Sequence, residues 1–216
     1  MLIIFDWDGT LIKNQVANEA AIRRLKTLGV NVTREWIREA QKNQSHYKVT
    51  KEAISKYIGI TDDKLLTTVM VNLFQLHYLG VLNDIGEDAL FLDFIQMIRI
   101  AKEKYKLKFA LISTLYEGII LPALDKFNLK DLFDYVFANS NDLQYKKADL
   151  INKIPKSEEA ILIVGDRKED MEAGRALNIK TAFVVWGQED YREFEDLADF
   201  IIQEPEDIKV IIDSLV

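Results

Sequence analysis

Short runs of consecutive apolar residues recur along most of the 216-residue chain, and they constrain its fold more than any other feature. A strand that is apolar at every position, rather than at every second one, is typical of a parallel sheet buried on both faces. Six such runs lie at residues 2–5, 109–112, 135–137, 161–164, 182–185 and 200–202. Apolar residues follow helical spacing in the segments 89–105, 117–127, 143–153, 169–178 and 206–215. This alternation predicts an α/β fold, with a three-layer, Rossmann-like parallel sheet and right-handed crossovers.

The region between the first and second apolar runs has a different pattern. Residues 14 to 81 contain no convincing strand, and the segments 15–28, 33–43, 50–58 and 62–79 show helical periodicity. The simplest explanation is a helical insertion after the first strand of the sheet. We therefore predict a catalytic core of residues 1–13 and 82–216, with residues 14–81 forming a small all-helical cap domain.

The composition removes several kinds of catalytic chemistry. The chain has no cysteine, which excludes a thiolate nucleophile, a disulfide and a cysteine zinc site. Its two histidines, His46 and His77, are too few for a zinc site built from three or four nitrogen and sulfur ligands. We therefore expect carboxylates, hydroxyls and lysines to carry the chemistry.

Charge and hydropathy limit the partners and the location of the protein. A net charge of −7 does not provide the basic surface that nucleic acids or anionic membranes attract. The sequence shows no signal peptide, and no run approaches the roughly 18 apolar residues of a membrane span. We expect a cytoplasmic protein without nucleic-acid or membrane partners, and a monomer in preference to a dimer.

Polar residues follow the apolar runs where the predicted strands end, which is where open α/β sheets bind ligands. The residues concerned are Asp6, Asp8, Gly9 and Thr10 after the first run, Ser113 and Thr114 after the run 109–112, Asp166 and Asp170 after the run 161–164, and Lys146 and Lys147 before a helix that starts near residue 148. Taken singly, each has an ordinary structural explanation, such as a solvated turn, a helix cap or a surface charge. Their order at successive strand ends favours one shared site.

Crowding of the four carboxylates of Asp6, Asp8, Asp166 and Asp170 at one site would be costly without a compensating cation. Oxygen ligands without cysteine or histidine favour Mg²⁺ over zinc, and Mg²⁺ commonly also accepts phosphate oxygens from a substrate. The lysines supply positive charge for a phosphate group. The pattern therefore indicates a Mg²⁺ cofactor and fits a phosphorylated substrate, which we expect to be a small phosphorylated metabolite.

At this point four motifs resemble those of the haloacid-dehalogenase superfamily of hydrolases, of the phosphoglycolate-phosphatase or β-phosphoglucomutase type. Asp6-Trp7-Asp8-Gly9-Thr10-Leu11 resembles the motif D-x-D-G-T-L, and Gly165-Asp166 with Asp170 resembles G-D-x-x-x-D. The apolar strand that ends in Ser113 resembles the second motif, and Lys146 or Lys147 resembles the third. Thr114 stands where the family often has Asn, and no proline follows the lysines, which leaves Ser113 or Thr114 and Lys146 or Lys147 open. Of these pairs we favour Ser113 and Lys147.

The resemblance implies a phosphatase that works through an aspartyl-phosphate. Asp6 would be the nucleophile, and Asp8 the general acid and base. Mg²⁺ would be held by Asp6, by the backbone carbonyl of Asp8, and by Asp166 and Asp170. Phosphoryl oxygens would be contacted by Gly9, Thr10, Ser113 or Thr114, and Lys146 or Lys147. The cap would choose the substrate, with Arg34, Arg38, His46, Tyr47 and Lys48 as candidates.

Three other functions use a similar scaffold. A sugar phosphomutase would retain Asp8 and transfer the phosphoryl group to another hydroxyl. A 2-haloacid dehalogenase resembles D-x-x-G-T and lacks the second aspartate, so Asp8 disfavours it. A non-catalytic regulator that binds phosphorylated metabolites would not need Asp6, Asp8 and Asp166 together.

Overall fold

The computed structural model describes residues 1–33, 35–36, 51, 55–56, 59, 62–140, 145–187, 192 and 195–216. The chain forms two compact units, one made of Met1–Asn14 with Glu87–Val216 and the other of Gln15–Gly86. The boundary at residue 81 that we predicted for the insertion falls inside a helix, which continues to Ile85.

The first unit contains a six-stranded parallel sheet. Its strands are β1 (Leu2–Phe5), β2 (Lys108–Tyr116), β3 (Tyr135–Asn139), β4 (Ala160–Gly165), β5 (Lys180–Val184) and β6 (Phe200–Ile202), in the order β3-β2-β1-β4-β5-β6. Every pairing is parallel. The prediction of an α/β fold with a parallel sheet is confirmed, and each strand overlaps one of the apolar runs.

Helices connect the strands and form much of the second unit. Along the described residues they are α1 (Gln15–Thr27), α2 (Asp63–Ile85), α3 (Leu92–Tyr105), α4 (Glu117–Lys126), α5 (Lys147–Ile151), α6 (Lys168–Ala176) and α7 (Asp207–Leu215). Short 3-10 turns lie at Gly86–Ala89, Lys130–Leu132 and Glu195–Leu197. The helices predicted over 33–43 and 50–58 lie almost entirely outside the described residues.

The apolar sequence of β1 follows from its central place in the sheet. Leu2, Ile3, Ile4 and Phe5 are at most 1% exposed, because β2 and β4 flank the strand on its two edges and side chains cover both of its faces. The ring of Phe5 meets that of Phe109 edge to face, with centroids 4.9 Å apart. Full burial of one such side chain stabilises the fold by about 1.5–3 kcal/mol. The buried β1 therefore sets the position at which the residues after Phe5 emerge from the carboxyl end of the sheet.

In the second unit, α2 is longer than its sequence suggested. Its first turn is capped by Asp62, whose Oδ1 accepts a hydrogen bond of 2.7 Å from the N–H of Leu65. We predicted an end near residue 79, just before Gly80, but the helix passes through Gly80 and ends at Gly86, which has a φ of +67°. A glycine weakens a helix interior by only about 1 kcal/mol, whereas a glycine with positive φ ends it.

The length and composition of α2 bear on the expectation that the chain has no membrane span. Residues Lys64–Ala89 include an 18-residue window of mean hydropathy 1.5, long and apolar enough to cross a membrane by length and composition alone. This window is not an unbroken apolar run, because Thr67, Asn72 and Gln75 interrupt it. Met70, Phe74 and Tyr78 on this helix are buried, and the guanidinium of Arg24 on α1 donates to the carbonyl of Met70 at 3.1 Å. A core helix of a globular unit has the same length and composition, so the window alone assigns no membrane span.

Candidate active site

Three buried carboxylates converge at the carboxyl ends of β1 and β4. Asp6 follows β1, Asp166 follows β4, and Asp170 lies in the first turn of α6. The backbone N–H of Asp6 donates to the carbonyl of Val164 at 2.9 Å, which continues the pairing of the two strands up to the site. Each residue offers one carboxylate oxygen, and these oxygens all lie within 4.8 Å of one another. The adjacent strands thus bring together residues that are 160 positions apart in number, as the sequence predicted.

A buried lysine lies against this cluster. Lys147 begins α5, and its Nζ is 2.6 Å from Oδ1 of Asp6 and in contact with Oδ1 of Asp170. Burial alone would lower the pKa of the Lys147 ammonium, but the carboxylates of Asp170 and Asp6 outweigh burial and raise that pKa above its usual value. Lys147 is therefore a permanent cation at this site.

One ammonium does not balance the three carboxylates. Burial, with Asp6 and Asp166 close by, raises the pKa of Asp170 to about 7, although Lys147 acts in the opposite direction. Three carboxylates against one ammonium leave negative charge in excess at this place. A divalent cation would relieve that excess.

The donor set suits Mg²⁺. The ion binds oxygens at about 2.0–2.1 Å, so two ligands of one ion are at most about 4.2 Å apart. The oxygens of Asp6, Asp166 and Asp170, within 4.8 Å of one another, need only a small movement to reach that spacing. The carboxylate of Asp8 is not a member of this cluster. Since our expectation for Asp8 as a ligand concerned its backbone carbonyl, it stays a prediction.

Glycines line the acidic cluster closely. A Cβ added to Gly9, which has a φ of +80°, or to Gly187, which follows β5, would collide with the carboxylate of Asp166. A Cβ on Gly165 would collide with the side chain of Asp170. Gly9 was expected to contact phosphate, and its clearance for Asp166 is an additional role. Gly187 was not among the predicted site residues. The pair Trp186-Gly187 also fits the family resemblance, and this was the signal in the sequence that could have pointed to it.

Asn14 is a second residue that the sequence did not reveal. Its side-chain Nδ2 donates a hydrogen bond of 3.2 Å to Oδ2 of Asp166, across 152 positions of the chain. Asn14 follows the D-x-D-G-T-L segment and precedes α1. No spacing rule links it to Asp166, so only the folded chain shows the contact.

The loop after β1 is held by one carbonyl. The carbonyl of Trp7 accepts hydrogen bonds from the N–H groups of Leu11 and Ile12 at 2.9 and 3.0 Å, and from that of Thr10 at 3.3 Å. Thr10 is fully buried, and its hydroxyl has no hydrogen-bond partner among the described residues. The phosphate contact expected of Thr10 stays a prediction.

The structure separates the members of the two ambiguous pairs by exposure. Ser113 is 3% exposed and its Oγ accepts a hydrogen bond of 3.1 Å from the N–H of Leu115, whereas the next residue, Thr114, is exposed. Lys147 is 4% exposed and meets the acids, whereas Lys146 is exposed and stands at the N-cap of α5. Ser113 and Lys147 are thus the buried members of the two pairs, and our preference for them as phosphate contacts stays a prediction.

Asn139, at the end of β3, holds two of these segments together. Its Nδ2 donates to the carbonyl of Thr114 at 2.8 Å and to that of Tyr145 at 3.4 Å. Its Oδ1 accepts the N–H of Tyr145 at 2.7 Å. Asn139 is 3% exposed and was not predicted to belong to the site.

Five residues of the insertion were expected to choose the substrate. Arg34, Arg38, His46, Tyr47 and Lys48 lie outside the described residues. His77 is described, and its Nε2 is 2.8 Å from the hydroxyl of Thr27 in the second unit. Burial, followed by Arg23 and Arg24, lowers the pKa of His77. The imidazole of His77 thus interacts with side chains of the second unit.

Comparisons with known proteins extend over nearly the whole chain. Residues 3–184 match the profile of the family described as haloacid dehalogenase-like hydrolase. The chain is 26% identical over 227 residues to the phosphoglycolate phosphatase of Aquifex aeolicus (strain VF5), covering 99% of this chain and 97% of that protein.

Solved structures share the fold at lower identity. A Thermotoga maritima protein described as a beta-phosphoglucomutase has a TM-score of 0.69 at 18% identity, covering 100% of this chain and 99% of its own. A Bacillus subtilis protein described as a haloacid-dehalogenase hydrolase bound to magnesium has a TM-score of 0.64 at 17% identity, covering 98% of both chains. At these identities the likeness shows a common fold.

Proposed function

The chain belongs to the haloacid dehalogenase-like hydrolases, as its four motifs predicted, and we propose that it is a Mg²⁺-dependent phosphatase acting on a small phosphomonoester. The phosphatase named from Aquifex aeolicus supports phosphoryl chemistry rather than dehalogenation. The observation that carries the proposal is the buried Lys147 ammonium against the carboxylates of Asp6 and Asp170, which cluster with that of Asp166.

Asp6 is the proposed nucleophile. A carboxylate is a nucleophile at neutral pH without a base to activate it, and the ammonium of Lys147 lies 2.6 Å from Oδ1 of Asp6. Its oxygen attacks phosphorus in line with the leaving oxygen. The bond to phosphorus forms on Asp6 while the bond from phosphorus to the leaving oxygen breaks, which gives an aspartyl-phosphate.

Asp8 moves the proton in both steps. In the first step it protonates the leaving oxygen, which departs as an alcohol. In the second step the same carboxylate takes a proton from the water that attacks phosphorus. Inorganic phosphate leaves, and Asp6 returns as a free carboxylate. Asp8 lies two residues after Asp6 in the loop that follows β1, and this short spacing is the basis for its proposed role beside Asp6.

The remaining polar groups neutralise and orient the phosphoryl oxygens. Lys147 and Ser113 are the groups we assign to these oxygens, with backbone contacts from Gly9 and Thr10. Asp6, Asp166, Asp170 and the carbonyl of Asp8 would hold Mg²⁺, which supplies positive charge to the phosphoryl group when bound. The buried surroundings of Lys147 and Ser113 strengthen their electrostatic effect.

Phosphate release tests the proposal. We expect Mg²⁺-dependent hydrolysis of p-nitrophenyl phosphate and of members of a metabolite panel that begins with phosphoglycolate. Asp6→Asn should abolish it, whereas Asp125→Asn, at a side chain that is 70% exposed in an ion pair with Lys130, should not. Equal activity of wild type and Asp6→Asn, or activity without any divalent ion, would falsify the mechanism.

Product analysis separates phosphatase from phosphomutase. Both reactions use Asp6 and Asp8, but a mutase returns the phosphoryl group to a second sugar hydroxyl. We expect inorganic phosphate as the product from sugar phosphates, followed by ³¹P NMR, and no isomerised sugar phosphate. An isomerised product that accumulates faster than free phosphate would favour the mutase.

We also propose that the helical unit Gln15–Gly86 selects the substrate and that the protein acts as a monomer in the cytoplasm. A chain in which residues 15–86 are replaced by a short Gly-Ser linker should still hydrolyse p-nitrophenyl phosphate. It should lose its preference among metabolite phosphates. A replaced chain that keeps the full preference would refute this role, and a dimer in light scattering would refute the monomer.

A further inference from the structure

Asn139 has the properties of a residue held in place for a reason beyond packing. It is a polar side chain only 3% exposed, and its three hydrogen bonds use both amide hydrogens and the carbonyl oxygen. Burial of an amide without partners costs about 1–3 kcal/mol, so a buried asparagine is retained only where its partners exist. Here all three partners are backbone groups.

The partners fix the orientation of the amide. The acceptor Oδ1 meets an N–H, and the donor Nδ2 meets two carbonyls. A flipped amide would set Nδ2 against the N–H of Tyr145 and Oδ1 against two carbonyl oxygens, which is repulsive at each contact. Residue 139 must therefore present a donor to the two carbonyls and an acceptor to the N–H of Tyr145, and asparagine supplies both.

The two segments that Asn139 joins carry the groups assigned to phosphate. On one side, Thr114 directly follows Ser113 at the carboxyl end of β2. On the other side, Tyr145 stands two residues before Lys147, which begins α5. The regular ladder between β2 and β3 shifts register between Ile112 and Tyr116, so it does not hold Ser113 and Thr114 in place by itself. The side chain of Asn139 supplies the missing link.

We infer that Asn139 is a positioning residue that sets the spacing between the Ser113 hydroxyl and the Lys147 ammonium for a phosphoryl group. It does not touch the phosphoryl group itself. This inference rests on the proposed phosphatase function and deepens it. The acidic cluster of Asp6, Asp166 and Asp170 receives no hydrogen bond from Asn139 in the contacts of the described residues, so binding of Mg²⁺ is expected to be independent of it.

The test compares Asn139→Ala and Asn139→Ser with a matched control. Thr181→Val removes another fully buried polar group at the amino-terminal end of β5. The hydroxyl of Thr181 accepts a hydrogen bond from the N–H of Asp199 and can donate its one hydrogen to the carbonyl of Leu197 or to the carboxylate of Asp199. The measurements are the inhibition constant of inorganic phosphate, KM and kcat, the dissociation constant of Mg²⁺ by calorimetry, and the melting temperature.

Both Asn139 variants should weaken inhibition by inorganic phosphate and raise KM by about tenfold, since a misplacement near 1 Å can cost up to a hundredfold in rate. Their affinity for Mg²⁺ should stay within twofold of wild type. Thr181→Val should lower the melting temperature without changing the affinity for phosphate.

Other outcomes overturn the inference. Phosphate affinity within twofold of wild type in a folded Asn139 variant, or an equal change in Thr181→Val, would reduce Asn139 to a structural residue. Failure of both Asn139 variants to fold would do the same. If the wild-type protein neither binds inorganic phosphate nor releases it from any substrate, the proposed function fails and the inference fails with it. Normal wild-type activity with unaffected variants overturns the inference alone.

Discussion

On the acidic side of the site, formed by Asp6, Asp166 and Asp170 at the ends of β1 and β4, the functional groups come from two short sequence motifs and meet directly. On the side proposed to hold phosphate, called the phosphate side, the residues are Ser113 in β2, Asn139 at the end of β3 and Lys147 at the start of α5. Here hydrogen bonds from the side chain of Asn139 to the backbone join separate segments of the chain. The acidic side is shaped by glycines that make room for buried charge. The phosphate side is shaped by one amide. The positions of the side chains are thus set in two ways. On the acidic side, glycines leave space for the carboxylates, which we call clearance. On the phosphate side, hydrogen bonds from Asn139 hold the backbone, which we call attachment.

The lysine that touches both sides should show the largest effect. Lys147→Ala removes the cation beside Asp6 and should lower kcat/KM by about 10²–10³, in the range seen when one charge-stabilising donor is lost. Lys146→Ala, one residue away and exposed, should change kcat/KM less than twofold. A larger loss at Lys146 than at Lys147 would reverse the assignment of the third motif.

Clearance on the acidic side can be removed by a single methyl group. Gly187→Ala places a Cβ against Asp166 and should weaken binding of Mg²⁺ by about 10- to 100-fold, the usual cost of disturbing a ligand's surroundings. Gly80→Ala is the matched control, because nothing lies within 4 Å of its added Cβ. That control should leave Mg²⁺ binding unchanged and stabilise α2 by about 0.5–1 kcal/mol. Calorimetry with Mg²⁺ and thermal melting measure the two effects, and equal Mg²⁺ affinity in both variants would contradict the clearance argument.

Attachment also exists on the acidic side, but it is weaker. Asn14→Ala removes the single hydrogen bond of 3.2 Å to Asp166 and should raise the dissociation constant of Mg²⁺ by about tenfold, at the low end for partners of a metal ligand. Asn83→Ala, at an exposed position of α2, is the control. If the two variants bind Mg²⁺ equally well, the hydrogen bond from Asn14 does not orient the ligand.

Mg²⁺ itself should stabilise the protein through the acidic side alone. At a hundredfold excess over its dissociation constant the ion should add about 2.7 kcal/mol, which is about 5–10 °C in melting temperature for a chain of this size. Chelation should reverse the shift. Asp166→Asn should lose most of the increment and Asn139→Ala should keep it. A similar loss in both variants would show that the two sides are not independent.

The sheet was predictable because its strands are buried on both faces. Continuous apolar runs located all six strands of the described sheet. The polar residues that directly follow the runs located Asp6 and Asp166. β2 is longer than its apolar run, since it continues through Ser113 and Thr114 to Tyr116, which pairs with Asn139. Polar residues at the carboxyl end of a strand can extend it without continuing its apolar run.

The residues that sequence reasoning missed act through contacts distant along the chain. Asn14 donates to Asp166, and Gly187 lies against the same carboxylate. Neither residue belongs to the sequence motif that contains Asp166. Asn139 resembles any polar residue after a strand until its partners are known. Such roles depend on which backbone atoms lie opposite a side chain, and periodicity carries no information about that.

The central place of β1 has a consequence for how the chain acquires its fold during synthesis. β1 pairs with strands that begin at Lys108 and Ala160, so a ribosome adding about 5–20 residues per second needs about 5–20 s to supply even the first partner. For that time an apolar strand has both edges open, a state prone to pairing with other chains. The helical unit that follows β1 emerges in this interval and can bury apolar surface of its own before any strand of the sheet is paired. The order of synthesis thus leaves the four residues of β1, which precede the proposed nucleophile Asp6, most in need of protection from pairing with other chains.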